Sequence, residues 1–363
     1  MLPEYEVVVV GGGPGGLTTA LYTTRLGHET ALINREGGRY TTVEHVHNLI
    51  GISEGMTGRQ VTDLAFDQLD EYGTDRYSDT VDGINVVDED PTFRIEGKET
   101  EVMADRVVLA TGFKDIPPAL PELTQYTGHG LHYCLHCDAY SLIDEPVYVF
   151  GHTDGAARVA MVMCNFSANV DLLLNGEEPE WSEEGDEQLR SHPVNIRTEE
   201  AVGVQPRDSE AARPEIGGIE FTDGTLREYT GGFAMYGSTY NNELAIGLGC
   251  ELTDEGAVQV DDHGRTSVDG VYAVGDVAHG HNQTPIAMGD GAKAGIALHH
   301  DLRTFPLSLD AIRSGETPDT DAPALSEEIR ENAREVKEAD EHGGMASEES
   351  SDPPAKQAPA DED

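Results

Sequence analysis

The β-branched run at residues 6–10 stops abruptly at Gly11-Gly12-Gly13-Pro14-Gly15-Gly16, and no other feature restricts the fold of this chain so tightly. An amphipathic stretch follows at residues 17–26, and a second apolar run at residues 30–34. Strand, glycine-rich turn, helix and strand make the βαβ unit of a dinucleotide-binding fold. Gly11, Gly13 and Gly16 have the GxGxxG spacing. The first glycine permits the tight turn, the second lets backbone approach a pyrophosphate, and the third lets the helix pack on the sheet. Free N–H groups and the dipole at the helix start then stabilise the phosphate charge.

Two more apolar runs end in turns, Val107-Val108-Leu109-Ala110-Thr111-Gly112 and Val271-Tyr272-Ala273-Val274-Gly275-Asp276. Asp276 is well placed to accept hydrogen bonds from a cofactor hydroxyl at the C-terminal edge of a sheet. Residues 289–303 read as a helix whose Ala and Gly allow close packing. Between these runs lies a second α/β pattern: strand at 146–151, helix at 154–166, strand at 169–174. Pro117, Pro118 and Pro121 mark the chain's passage into it, and residues 237–242 its return. The expected fold is therefore α/β, with two three-layer, Rossmann-like nucleotide-binding domains, the second inserted in the first. The boundaries are residues 1–113 and 241–305 for the first nucleotide-binding domain and 114–240 for the inserted one. An acidic tail, 306–363, carries one apolar helical stripe of Leu325, Ile329, Ala333 and Val336, and its last twenty residues are expected to be disordered.

The inserted region carries Cys134-Leu135-His136-Cys137-Asp138. A disulfide between thiols three apart closes a very small ring and constrains little of the unfolded chain. Its usual value is exchange chemistry, in which one thiol attacks and the other resolves. Asp138 directly after the second sulfur can supply or remove the proton that exchange requires. CxxC is also half of a zinc site, but a second CxxC or a paired His motif at suitable spacing is missing, so no metal is expected. His132 and His136 flank the thiols and either move protons or fill the face of a turn. Cys164 reads as a core thiol, and His281 as a residue of helix packing or a cofactor contact.

Lys and Arg total 23 against 69 Asp and Glu, a formal charge of −46. An excess this large destabilises a compact fold by self-repulsion in dilute buffer. At molar salt the Debye length falls to about 3 Å and the repulsion largely vanishes. The expectation is a cytoplasmic protein of a high-salt cell, with neither nucleic acid nor an anionic membrane as partner. No stretch is apolar enough to span a bilayer, and the early first strand leaves no room for a signal peptide.

Across roughly residues 5–305 the chain resembles the low-molecular-weight thioredoxin reductase family, as a haloarchaeal-type member. The resemblance rests on the Gly11–Gly16 loop, Glu36-Gly37-Gly38-Arg39-Tyr40-Thr41-Thr42 running to Asn48, Ala110-Thr111-Gly112, the CxxCD motif, and Gly275-Asp276 leading to Asn282-Gln283-Thr284. It implies FAD, with Gly11, Gly13, Pro14 and Gly16 around the pyrophosphate. Asn34, Glu36, Gly38, Arg39 and Tyr40 would cover the adenosine and the flavin-proximal edge. Gly275 and Asp276 would meet the ribityl–phosphate region, and Asn48, Thr111, Gly112, Gln283 and Thr284 would lie along the flavin. Cys134 and Cys137 would form the catalytic disulfide, with Asp138 as its acid. The implied assembly is a homodimer that alternates two domain orientations, and the implied partner is a thioredoxin-like protein or a small disulfide or dithiol.

The chain departs from this family at the second nucleotide turn, Gly151-His152-Thr153-Asp154-Gly155-Ala156. Thr153 replaces the glycine that would let backbone approach a pyrophosphate. Where NADPH-using relatives place an Arg cluster for the 2′-phosphate, this chain has Glu177-Glu178-Pro179-Glu180. Tight NADPH binding is therefore not expected. The donor stands open between NAD(P)H in an unusual mode, a ferredoxin-like carrier, and a dithiol whose electrons pass through flavin to dioxygen. The non-enzymatic alternative is a flavin-bound redox sensor.

Overall fold

The computed structural model describes residues 1–35, 38–87, 92–208, 213–278, 280–315 and 322–338. Its first unit runs through β1 (Glu4–Val10), α1 (Pro14–Arg25), β2 (Thr30–Ile33), α2 (Gly58–Glu71), β3 (Asp75–Tyr77), β4 (Val81–Val86), β5 (Phe93–Gly97) and β6 (Glu101–Leu109). β7 (Phe113–Asp115) leads out to β8 (Leu131–His132), α3 (Leu135–Asp138), β9 (Val147–Phe150), α4 (Asp154–Met163) and β10 (Val170–Leu173). Next come α5 (Glu183–Arg190), β11 (Val194–Arg197), β12 (Ala201–Pro206), β13 (Ile216–Phe221), β14 (Leu226–Glu228) and β15 (Gly231–Ala234). β16 (Ser238–Tyr240) returns to α6 (Glu243–Leu248), β17 (Val271–Ala273), α7 (Thr284–Leu302), α8 (Leu309–Ser314) and α9 (Glu327–Glu338).

The first sheet has the order β3-β2-β1-β6-β5-β4, with β17 also paired to β6. β1 is parallel to both β2 and β6, so it is central and covered on both faces. That explains its unbroken run of valines. Val7 and Val9 pack with Leu17, Ala20, Ala294 and Leu298 beneath α1 and α7. Val8 and Val10 turn to the opposite face, with Phe93, Ile95, Ala245 and Val258. Each such side chain contributes roughly 1.5–3 kcal/mol by leaving water. α7 starts at Thr284, five residues before the helix read from the sequence, because Pro285 is at home in a first turn. Gly291 lets α7 approach α1 closely enough that a Cβ there would overlap the Gly15 carbonyl.

The second sheet has the order β11-β10-β9-β15-β8, and its pairs are parallel. Here too one strand alternates between two cores. Val147 and Val149 meet Ala156, Ala160 and Met163 of α4. Tyr148 and Phe150 meet Ile216, Ile219 and Phe221 of the antiparallel β12-β13-β14 sheet. The two Rossmann-like units are joined where β7 and β16 pair antiparallel, Phe113 opposite Tyr240.

At the far end of α1, Glu6 accepts hydrogen bonds from Arg303, 2.6 Å for the shorter, and faces the buried His28 at 3.3 Å. Burial alone would raise the Glu6 carboxyl, but its bonds to His28 and Arg303 bring it down to about 2. A depressed carboxylate stabilises the fold above its ordinary value of 4.5, and the gain is lost as pH falls toward 2. After discounting for solvent screening, we expect Glu6→Gln to cost about 1–2 kcal/mol at pH 7. Thermal melting in molar salt at pH 7 and pH 3 checks this: the gap between wild type and variant should shrink at the lower pH.

The helical stripe in the tail is formed. Leu325, Ile329 and Val336 are half-buried, while Ala333 is exposed. Leu325 and Ile329 lie over Gly27, where an added Cβ would stand 2.6 Å and 3.4 Å from them. The last twenty residues lie outside the described residues.

Candidate active site

The C-terminal ends of β1, β2, β6 and β17 open onto a cavity of about 1220 Å³. Gly11, Gly13, Pro14 and Gly16 form its floor between β1 and α1. A Cβ on Gly16 would overlap the Gly11 carbonyl, so this glycine is required by the chain's own packing. Gly13 differs, because nothing lies within 4 Å of where its Cβ would stand. Packing does not explain a glycine there, but a ligand pressed against the loop would. Gly38 lines the cavity and faces the same open space. The donor set suits a dinucleotide: backbone amides at a helix start, with Asn34 at the end of β2. Asn34 Oδ1 accepts a 2.8 Å hydrogen bond from Gly12 N.

Arg39 and Tyr40 lie in a single 3₁₀ turn, Arg39–Thr42. The Arg39 guanidinium stacks 4.5 Å over Phe113 and donates to Asp115 at 2.8 Å. This ties the first unit to the outgoing strand β7. On the return, Thr111 Oγ1 donates to the Asn241 carbonyl at 2.6 Å, and Asn241 Nδ2 donates to the Thr111 carbonyl at 2.7 Å. Gly112 follows, with φ +67. Gly275 and Asp276 lie in a short turn after β17. Burial pushes the Asp276 carboxyl up, and Asp115 and Asp290 add to the rise against the opposing pull of Arg39.

Cys134 and Cys137 are joined as a disulfide with Cα atoms 5.3 Å apart, and both line this cavity. The amides of Asn48 and Gln283 stand against the sulfurs. Gln283 Nε2 is 3.5 Å from Cys134 Sγ, and Asn48 Nδ2 is 3.7 Å from Cys137 Sγ. The two side chains are themselves linked, Asn48 Nδ2 donating to Gln283 Oε1 at 2.8 Å. Thr284 and Asp138 complete the wall. The cavity thus gathers the glycine loop, both sulfurs and every other site residue expected from the sequence except Glu36, which lies outside the described residues. His281 is exposed and does not line it. Cys164 caps α4 half-buried, its thiol pushed up by burial.

Glu44 is a residue the sequence did not flag. It forms an ion pair with Arg213 and lies 4.0 Å from His129 Nε2, bridging the two units across the cavity mouth. These three are far apart in the chain, and no local pattern announces them.

At the second sheet the equivalent turn is built differently. Thr153 is the residue before α4, and Asp154 opens that helix. The Asp154 carboxylate accepts from Ser182 N at 3.1 Å and from Ser182 Oγ at 3.0 Å. Glu180 N donates to the His152 carbonyl at 2.7 Å, so the acidic segment folds back across the helix start. Glu177, Glu178 and Glu180 are exposed at this edge.

Parallel sheets with a glycine loop at one strand end and a disulfide in the same cavity define a dinucleotide-binding disulfide oxidoreductase. The comparisons agree. Residues 5–291 match the pyridine nucleotide-disulphide oxidoreductase family, and the chain belongs to it. It is 30% identical over 305 residues to a thioredoxin reductase of Peptoclostridium litorale, covering 80% of this chain and 95% of that one. A thioredoxin reductase of Peptoclostridium acidaminophilum is 30% identical over 302 residues, covering 80% and 94%. The crystal structure of thioredoxin reductase from Streptococcus pyogenes superposes with a TM-score of 0.77, covering 84% of this chain and all of that one; at 23% identity that likeness is one of fold. The protein is accordingly an oxidoreductase, of a family that works with a flavin and a nicotinamide nucleotide. No described helix is long and apolar enough to cross a membrane.

Proposed function

We propose that this protein is an FAD-dependent disulfide reductase of thioredoxin reductase type, passing electron pairs through Cys134 and Cys137 to a thioredoxin-like disulfide. One observation carries the reading: the disulfide lines the same cavity as the Gly11–Gly16 loop. Gly11, Gly13, Pro14 and Gly16 would hold the FAD pyrophosphate, and Asn34, Gly38, Arg39 and Tyr40 its adenosine side. Gly275 and Asp276 would meet the ribityl–phosphate region. Asn48, Thr111, Gly112, Gln283 and Thr284 would border the ring. Bound flavin supplies a two-electron carrier beside the sulfurs. Opening the Cys134–Cys137 bond takes two electrons and two protons, and Asp138 delivers one of those protons. Cys134 then attacks the external disulfide and Cys137 resolves the adduct. Thioredoxin reductases among the relatives support the partner class.

The second Rossmann-like unit does not fit NADPH. Thr153 stands where a glycine would let backbone approach a pyrophosphate, and Asp154 already places a carboxylate in the first turn of α4. Three glutamates near a 2′-phosphate each cost on the order of 1 kcal/mol at moderate screening. We therefore read the donor as something other than tightly bound NADPH, with a ferredoxin-like carrier as the first candidate. The same misfit favours one second reading, a flavin dithiol oxidase. In it a substrate dithiol gives two electrons and two protons through Cys134 and Cys137, and dioxygen accepts them as hydrogen peroxide.

Residues 1–113 and 241–305 would act as the FAD-binding domain and 114–240 as the inserted one. A homodimer in a high-salt cytosol completes the reading. Exposed Ile286, Met288 and Ile296 on α7 support the first part, and the charge of −46 the second.

An anaerobic experiment in molar salt tests the function. NADPH, NADH, reduced ferredoxin and a dithiol are compared for bleaching of flavin absorbance, and thiols are counted by alkylation. Reduced ferredoxin should bleach the flavin and yield two new thiols at Cys134 and Cys137, while NADPH should be slow. Flavin that reduces with the disulfide left intact would sink the reductase reading. Fast bleaching by NADPH would overturn the account of the second unit, and in a parallel aerobic assay oxygen uptake driven by dithiol alone would favour the oxidase.

A further inference from the structure

Two histidines flank the dithiol, and the fold treats them differently. His136 lies on the short helix α3 and is exposed. His132 lies on β8, where strand pairing with β15 fixes its backbone opposite Phe233. Its ring packs on the Phe233 ring, centroids 5.9 Å apart, and its side chain is only 12% exposed. Its Nδ1 stands 3.3 Å from Asp138 Oδ2. Asp138 is held from its own side, since its N–H donates to the Cys134 carbonyl at 3.2 Å and its carbonyl accepts from Ser141 Oγ at 2.7 Å. The backbone of Asp138 is therefore held at the end of the redox motif, and its carboxylate meets one imidazole. The pair keeps a path to water, because the Asp138 side chain is 24% exposed.

We propose that His132 is the proton-relay partner of Asp138, a positioning residue that aims the carboxyl at the dithiol and exchanges its proton with solvent. The inference rests on the reading of Asp138 as the acid of exchange. In the exchange step the Cys134 thiolate attacks the substrate disulfide, one S–S bond forming as another breaks. The leaving sulfur takes a proton from Asp138, and the resulting carboxylate faces His132. The Cys137 thiol then gives up its proton through the same carboxylate and attacks the mixed disulfide. The second substrate sulfur leaves and takes that proton from Asp138, and His132 then returns to the carboxylate, from solvent, the proton that Cys134 lost on ionising. Two electrons pass to the substrate, and the number of protons released equals the number taken up. The groups in contact with His132 are Asp138 from α3 and the uncharged Phe233 from β15, and the Cys134–Cys137 disulfide lines the same cavity. Arg207 and Glu215 line the same cavity and are kept unchanged in the test.

The discriminating variable is whether the leaving thiol needs a proton. An alkyl thiolate leaving from bis(2-hydroxyethyl) disulfide needs one at neutral pH, whereas the aryl thiolate leaving from 5,5′-dithiobis(2-nitrobenzoate) does not. The variant His132→Asn keeps an N–H beside Asp138 but cannot titrate; His132→Gln is its companion should the first fold poorly. In single turnovers of reduced full-length flavoprotein, the Asn variant should react with the alkyl disulfide about 10-fold or more slowly. The pH profile of the alkyl rate should change with it, while that of the aryl rate should not. The aryl disulfide rate should stay within about twofold, as general acid catalysis has little to add there. Equal slowing with both probes marks a merely structural role and overturns the proposal, as does an unchanged alkyl rate and profile. Asp138→Asn separates the two layers. If it too leaves the alkyl rate untouched, the acid reading of Asp138 fails and the relay with it; if it slows the alkyl rate while the His132 variants do not, only the relay fails.

Discussion

Cys137→Ser should abolish turnover, by on the order of 10³-fold or more, and leave the physiological partner covalently attached through Cys134. The two effects have one cause. The sulfurs are bonded to each other in the oxidised protein, so removal of Cys137 leaves Cys134 as an attacking thiol with nothing to resolve its adduct. The check is non-reducing mass spectrometry of the variant after incubation with cell extract and with a thioredoxin disulfide. An adduct released by a reductant is the expected outcome. Full turnover without any adduct would remove the dithiol from the mechanism altogether. Cys134→Ser makes the control, because it should be equally inactive yet trap far less partner.

Gly13→Val should give a folded protein that binds at least about tenfold less flavin, a loss of about 1.4 kcal/mol or more in cofactor affinity. A Cβ at this position would meet no protein atom within 4 Å, so the apoprotein is expected to fold. It would instead project into the cavity that the glycine loop floors. Flavin content per chain is read from absorbance after purification in molar salt, and folding from melting of the apoprotein. A variant that retains stoichiometric flavin would show that the loop does not carry the pyrophosphate. Gly16→Val is the wrong variant for this question, since its side chain would overlap the Gly11 carbonyl and disturb helix and sheet together.

What was legible in the sequence follows a physical pattern. β1, α1 and β2 stood out because a doubly buried strand must be apolar throughout and a phosphate turn must be glycine. The CxxCD motif stood out because its chemistry lies within five residues. β3, β4 and β5 were not anticipated: they are short, and β3 and β4 expose polar positions such as Asp75 and Asp82 that blur a period of two. The start of α7 was set too late, because Gly289 looks like a boundary while Pro285 looks like a turn, and only the packing on α1 decides between them. Glu44, His129 and Arg213 meet across the two units, so their grouping exists only in three dimensions. The same holds for His132 and His136. In sequence both lie within two residues of a cysteine, and strand against helix turns one inward and the other out.

The seat of the tail over Gly27 has a practical consequence. Gly27 lies just past the end of α1, and the glycine loop lies at its start. Twelve helical residues, about 18 Å, separate them. A fluorophore or an electrode linker attached to α9 beside Ile329 would hang at the end of α1 remote from the glycine loop. Surface-immobilised protein would then present its redox mouth outward, free for a soluble carrier to approach.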